Sequence, residues 1–137
     1  MNPKKIIAAT FVAFIVLFLG DWLWFGPIFG EWFHTMMPTK GDMENIPMHA
    51  AGELCLAFLM AVIYPYGYKG GSPAKEGAVF GILMGLVYQL PGSLHMYASM
   101  GGSRRLVVFF IANGIVMGIL AGISVAMIHG KVEKVTA

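Results

Sequence analysis

The sequence predicts an all-α membrane protein, a single domain over residues 1–137 built as an up-down-up-down bundle of four transmembrane helices. Composition is the first observation: 58% of the residues are hydrophobic and only 12% are charged, against roughly a quarter charged in soluble domains. The second is four apolar runs, near residues 6–33, 46–66, 77–98 and 106–128, each of the ~20 residues or more that cross a bilayer. Short connections between the runs favour antiparallel neighbours.

The first run follows Lys4 and Lys5 and continues past Asp21 with no small-residue cleavage site, so we expect a retained helix rather than a signal peptide. Gly26-Pro27 near its end predicts a kink or an unwound turn, and Pro91-Gly92 predicts the same in the third run. Connections are expected at residues 35–45, 67–76 and 99–105, all of them rich in turn-forming residues.

Basic residues predict the orientation of the bundle. Six of the nine lie at the termini and in the second loop: Lys4, Lys5, Lys69, Lys75, Lys131 and Lys134. The other side has Lys40, Arg104 and Arg105. The positive-inside rule therefore predicts cytoplasmic termini in a multi-pass protein of the inner (plasma) membrane. A net charge of +2 gives no indication of nucleic-acid binding.

Two glycine series predict a close helix–helix contact. Gly77, Gly81 and Gly85 recur every four residues in the third run, and Gly114, Gly118 and Gly122 do so in the fourth. Small residues at this spacing let helix backbones approach closely in lipid. We expect the two helices to pack along these series, with dimerisation of the chain through one series as the alternative.

Each predicted helix carries one polar residue in its outer half: Asp21, Glu53, Gln89 and Asn113. Burying a polar group within the membrane costs free energy, so such residues often belong to functional sites. We predict that the four line a polar cavity that binds a small ligand, with Trp24 and Tyr88 completing its wall. Trp22 and Trp24 both lie deep enough in the first helix to line an apolar pocket beside Asp21. The alternative for Gln89 and Asn113 is a purely structural hydrogen bond between helices.

Three histidines, His34, His49 and His95, fall at the outer ends of the first three helices. His49 and Glu53 are four residues apart and share a helix face. The predicted metal site therefore consists of the three histidines and Glu53. Six of the eleven methionines lie in the same outward segments: Met36, Met37, Met43, Met48, Met96 and Met100. Thioethers with imidazoles suit Cu(I), so copper or another transition metal is a candidate cofactor, and the sequence leaves the cofactor's identity open. Solvated histidines and methionines used as flexible apolar residues are the alternative.

The stretch Gly20–Trp32 resembles the end of the first helix in small four-helix bacterial membrane proteins of unknown function. Those proteins carry a Trp-Phe/Tyr-Gly-Pro-x-Phe-Gly pattern, which is intact here as Trp24-Phe25-Gly26-Pro27-Ile28-Phe29-Gly30. The resemblance covers about a dozen residues and implies a four-helix membrane fold. It implies no activity, and neither the histidines nor Glu53 belong to the pattern.

Three functions stay open at this point. The leading hypothesis is binding, with transport as a further option, of a small ligand or metal ion in the outer half of the bundle. The second is an accessory subunit whose aromatic and glycine surfaces contact a larger membrane complex, which a clean monomer or homodimer would contradict. A homo-oligomer is a separate partner state that the sequence leaves open. The third is a membrane enzyme acting on an apolar substrate, with Asp21 or Glu53 as general acid or base.

Overall fold

The computed structural model describes residues 2–36, 46–101 and 103–130, and every regular element in those ranges is helical. Five α-helices follow one another: α1 (Pro3–Leu23), α2 (Gly30–Met36), α3 (Ile46–Gly67), α4 (Pro73–Met100) and α5 (Arg104–His129). Four segments are long and apolar enough to cross a membrane, namely Pro3–Ile28, Ile46–Gly67, Pro73–Ser99 and Arg104–His129. This is the pattern of a multi-pass integral membrane protein.

The first predicted helix is interrupted where the sequence indicates. α1 ends at Leu23, a π-helical turn spans Trp24–Ile28, and α2 starts at Gly30. Pro27 has no N–H to donate, so one α-helical hydrogen bond is missing at this turn. Phe29 N donates to Trp24 O at 3.1 Å, one residue further back than in an α-helix. The unwound turn is confirmed here, whereas α4 continues through Pro91.

α4 and α5 begin earlier than predicted because each has capping residues ahead of its apolar run. Pro73 occupies the first turn of α4, where its missing N–H costs nothing. The Glu76 carboxylate accepts hydrogen bonds from Lys69 N and Gly71 N, which folds the connection back on the helix. Ser103 caps α5 by accepting from Leu106 N. The predicted 35–45 loop lies mostly outside the described residues.

The two glycine series face each other across α4 and α5, as predicted. A Cβ added at Gly77 would come within 2.6 Å of Gly122 O. A Cβ at Gly81 would overlap Gly118 O, and one at Gly85 would overlap Gly114 O. Because the series pair in reverse order, α4 and α5 run antiparallel with their backbones in direct contact, which a side chain at these positions would prevent.

The remaining helices are arranged around α1, which packs against α5 on one side and α3 on the other. The contact between α3 and α4 is slight by comparison, although a loop of only five residues joins them. The expectation that all sequential helices pack closely is therefore correct for α1–α3 and for α4–α5. It is wrong for α3–α4, because α3 packs mainly against α1 and α4 packs mainly against α5.

Polar contacts fasten the end of the bundle that carries Asn2 and Gly130, referred to below as the terminal end. Lys5 Nζ donates to His129 O at 2.7 Å, joining the first turn of α1 to the last residue of α5. His129 Nε2 lies 2.9 Å from Ala61 O of α3. The opposite end, where α2 and the start of α5 lie, is called the α2 end.

Replacing Gly81 with alanine is expected to destabilise the α4–α5 pair by about 1–3 kcal/mol, since the new methyl group must displace the backbone of Gly118. Gly92→Ala in the same helix is the matched control, because a Cβ there meets nothing within 4 Å. Unfolding in detergent, followed by circular dichroism, measures both. Equal stability of the two variants would contradict the proposed tight interface.

Candidate functional site

Asp21 lies at the end of a buried stripe on α1 that repeats every four residues. Ala9, Ala13 and Leu17 form the rest of the stripe and are at most 3% exposed. Small side chains in the first half bring α1 close to its neighbours, so the carboxylate at the end of the stripe is drawn into the bundle interior. Asp21 is 7% exposed, and its Oδ1 accepts a 3.0 Å hydrogen bond from Asn113 Nδ2 of α5.

α3 presents His49 and Glu53 to the same point from one helix face, a single turn apart. His49 Nε2 is 3.9 Å from Asp21 Oδ2. Glu53 is 2% exposed, and its Oε2 is buried with no hydrogen-bond partner within the described ranges. One ligand atom from each of Asp21, His49 and Glu53 lies within 4.8 Å of the other two. Two acidic groups and one imidazole thus converge in the apolar interior.

A chain of amides connects this cluster to the other two helices. Gln89 Nε2 of α4 is 3.4 Å from Asn113 Oδ1, and Asn113 in turn donates to Asp21. The amide of Asn113 therefore accepts at one end and donates at the other, with its donor directed at the carboxylate. The four polar residues predicted to share one depth do converge, and each comes from a different membrane-spanning segment.

Access to the cluster is through a cleft of about 210 Å³ between the end of α1 and the start of α3. Asp21 and His49 form its polar part, and the other lining residues are Phe18, Trp22, Phe25, Gly26 and Ile46. The π-helical turn contributes Phe25 and Gly26, so the break in the first helix shapes the cleft. Phe18 also contacts the His49 ring, with centroids 6.1 Å apart.

On the other side of Asp21, a small cavity of about 10 Å³ continues toward the terminal end. Glu53, Gln89, Asn113 and the predicted wall residue Tyr88 line it, together with the buried methionines Met60 and Met117. The volume is about that of one water molecule. There is therefore space for an ion or a solvent molecule on the cleft side of the cluster and almost none on the side that faces the terminal end.

Trp24, the other predicted wall residue, lies away from the cluster. Its ring packs against Phe29 and Phe109 at centroid distances of 4.7 and 5.7 Å, on the α5 side of the π-helical turn. Of the two tryptophans expected beside Asp21, Trp22 is the one that lines the cleft. The π-helical turn changes the angular spacing of successive side chains, so which tryptophan faces Asp21 does not follow from regular α-helical spacing.

Two of the three predicted histidine ligands lie apart from the cluster. His34 is exposed on α2, where its ring contacts Phe33, and His95 is exposed on α4. Of the predicted histidines, His49 alone joins the carboxyls within the described ranges. Met37, Met43 and the side chain of Met100 lie outside what the structure describes.

Met60 and Met117 are residues that sequence reasoning missed. Both are buried beneath the cluster and line the small cavity. Their spacing could have indicated this: Met60 is seven residues after Glu53 and Met117 is four after Asn113, which puts each on the helix face of the polar residue above it. The prediction instead gave weight to methionines in the outward segments.

No protein-family model matches the chain, and neither a curated protein nor a solved structure matches it. The resemblance of residues 24–30 to small four-helix bacterial membrane proteins stays a prediction. Function must therefore be argued from the geometry of the cluster itself.

Asn113→Leu is expected to lower the free energy of unfolding by about 1–3 kcal/mol, because it removes the donor to a buried carboxylate and the acceptor for Gln89. Ser99→Ala is the control, since the exposed Ser99 hydroxyl bonds only to the His95 carbonyl of its own helix. Unfolding in detergent measures both. An Asn113→Leu variant as stable as Ser99→Ala would show that the amide chain contributes nothing to the fold.

Proposed function

We propose that this integral membrane protein binds a divalent transition-metal cation at Asp21, His49 and Glu53. The observation that carries the proposal is the convergence of one ligand atom from each residue to within 4.8 Å in the interior of the bundle. Supporting it, Glu53 is almost fully buried and its Oε2 has no hydrogen-bond partner in the described part of the chain. A buried carboxylate oxygen without a donor is costly unless a cation or proton reaches it.

The geometry is compatible with a metal after a small contraction. An ion at the centre of a triangle with 4.8 Å edges lies about 2.8 Å from each corner, whereas zinc bonds to carboxylate oxygen and histidine nitrogen are about 2.0–2.2 Å. Each side chain must therefore move by roughly 0.6 Å to reach that bond length. The hydrogen bond from Asn113 holds Asp21 Oδ1 and leaves Oδ2 on the side of His49, which is how an outer residue orients a metal ligand.

The donor set favours one class of cation. Two carboxylates and one imidazole suit Zn²⁺, Mn²⁺ or Fe²⁺, while Cu(I) prefers thiolate and thioether ligands. The two carboxylates also neutralise the charge of a divalent ion, which matters in a medium of low dielectric. Three protein ligands leave a coordination position open for water or an exchanging ligand from the cleft.

The size of the cleft favours an ion over a larger molecule. Its volume of about 210 Å³ is below the 300–1,000 Å³ typical of pockets for organic ligands. A membrane enzyme would have to place its substrate beside the same carboxyls, so the cleft also disfavours that alternative. By the distribution of basic residues, we further propose that the cleft opens to the periplasmic side of the inner membrane.

Binding, rather than passage through the bundle, is the function proposed. Toward the terminal end the interior is filled by Leu17, Ala57, Met60 and Tyr64, each at most 3% exposed. Nothing in the described contacts favours the accessory-subunit alternative over a chain that acts alone or as a homo-oligomer.

Asp21→Asn, His49→Gln and Glu53→Gln are each expected to weaken Zn²⁺ binding by more than about tenfold, because each removes a ligand while nearly preserving side-chain volume. Isothermal titration of the purified protein with Zn²⁺, Mn²⁺ and Fe²⁺ measures the affinity of each variant. Circular dichroism establishes that the variants remain helical.

His34→Gln and His95→Gln serve as matched controls, since both histidines are exposed and lie apart from the cluster. They are expected to bind Zn²⁺ as the unmodified protein does. The proposal fails if the unmodified protein binds none of the three cations, or if loss of His34 or His95 weakens binding as much as loss of His49.

The apparent affinity for Zn²⁺ is expected to fall as the pH is lowered from about 7 to about 5, because the ligands must lose their protons to bind metal. Titration in buffers of different ionisation enthalpy counts the protons released per ion bound. Affinity that is independent of pH, with no proton release, would argue against coordination by His49 and the two carboxyls.

A further inference from the structure

A second groove lies at the α2 end on the opposite side of α1 from the cleft. It has a volume of about 510 Å³ and an almost wholly apolar surface, formed between α5 and the segment that contains the π-helical turn and α2. Phe109, 7% exposed, is its floor, and the Trp24 and Trp32 rings rest on Phe109 at centroid distances of 5.7 and 4.8 Å.

Two arginines line the same groove at the start of α5. Arg104 and Arg105 are both exposed, and neither guanidinium has a hydrogen-bond or ion-pair partner in the ranges the structure describes. The first turn of α5 contains no acidic residue. The amino end of a helix carries unpaired N–H groups and a partial positive charge, so three sources of positive potential coincide there.

The charge and the apolar surface fit a single kind of molecule. From Arg104 to Ala112, the groove extends along α5 for about 12 Å at ~1.5 Å of rise per residue, most of the depth of one leaflet. An occupant with a negative group at the membrane surface and a hydrocarbon chain beneath it would satisfy both the arginines and the rings. A phospholipid in the bilayer has this orientation, with its phosphate at the membrane surface and its acyl chains in the interior.

A groove near the terminal end differs from the groove at the α2 end in the charge of the residues that line it. It has a volume of about 370 Å³ and is lined by Lys69 and Lys75, but also by Glu76. There, the Glu76 carboxylate lies among the basic residues and accepts hydrogen bonds from the backbone amides of Lys69 and Gly71. Among the residues that the structure describes, none that lines the groove at the α2 end is acidic.

We propose that the groove at the α2 end binds one anionic phospholipid, with its phosphate on Arg104 and Arg105 and an acyl chain against Trp24 and Trp32. Anionic lipid is selected over a zwitterionic lipid because the second headgroup charge of the latter, a cation, would lie near two guanidinium groups. This site is separate from the proposed metal cluster and does not depend on it.

Quenching of tryptophan fluorescence by brominated lipid tests the proposal directly. The chain has three tryptophans, and Trp22→Phe removes the one that lines the cleft, leaving the two in the groove. The full chain with this change is placed in phosphatidylcholine vesicles that contain an equal fraction of either brominated phosphatidylglycerol or brominated phosphatidylcholine. We expect the groove to prefer phosphatidylglycerol by roughly tenfold.

Added to this background, Arg104→Gln with Arg105→Gln is expected to abolish the preference, and Arg104→Lys with Arg105→Lys to retain most of it because the charge is kept. Lys69→Gln with Lys75→Gln is the matched control and should leave the preference unchanged. Equal quenching by the two lipids in the Trp22→Phe protein that keeps both arginines would overturn the proposal. So would a preference that survives loss of both arginines, or no quenching by either lipid, which would mean that protein covers the groove.

Discussion

The hydrogen bond from Asn113 to Asp21 is the interaction around which the α2 end of the bundle is organised. A carboxylate inside a membrane-spanning helix needs polar partners because lipid supplies none. Asn113 meets that need from α5 and at the same time accepts from Gln89 of α4. Asp21 is thereby fixed beside His49 and Glu53 of α3, so residues from all four membrane-spanning segments meet at this cluster.

The close glycine contact between α4 and α5 makes this arrangement attainable. Gly85 lies one turn before Gln89, and Gly114 directly follows Asn113. The close approach of these two glycines brings Gln89 within reach of Asn113. Bulkier residues there would separate the two backbones and lengthen a hydrogen bond that is already 3.4 Å. Helix packing and the polar cluster therefore depend on each other. The glycines set the distance between the α4 and α5 backbones, and that distance allows the Gln89 and Asn113 amides to form a hydrogen bond.

The Gly-Pro step at the end of α1 has consequences on both sides of that helix. The π-helical turn that contains Pro27 places Phe25 and Gly26 at the border of the cleft beside Asp21, while Trp24 packs against Phe109 of α5. This break thus lies between a small cleft that reaches Asp21 and His49 and a larger apolar groove. The two surfaces differ in chemistry: carboxyl groups lie at the cleft, for which we propose a cation, and arginines line the groove, for which we propose a lipid anion.

The sequence by itself determined the four spans, the glycine contact, the break at Pro27 and the convergence of Asp21, Glu53, Gln89 and Asn113. All of these follow from local periodicity and from the cost of polar groups in lipid. Only the tertiary structure decided that His49 joins the carboxyls while His34 and His95 do not, and that Trp22 rather than Trp24 borders the cleft. Those outcomes depend on the rotation of each helix about its axis and on the π-helical turn, which neighbouring helices fix through packing and which residue spacing along one helix cannot specify.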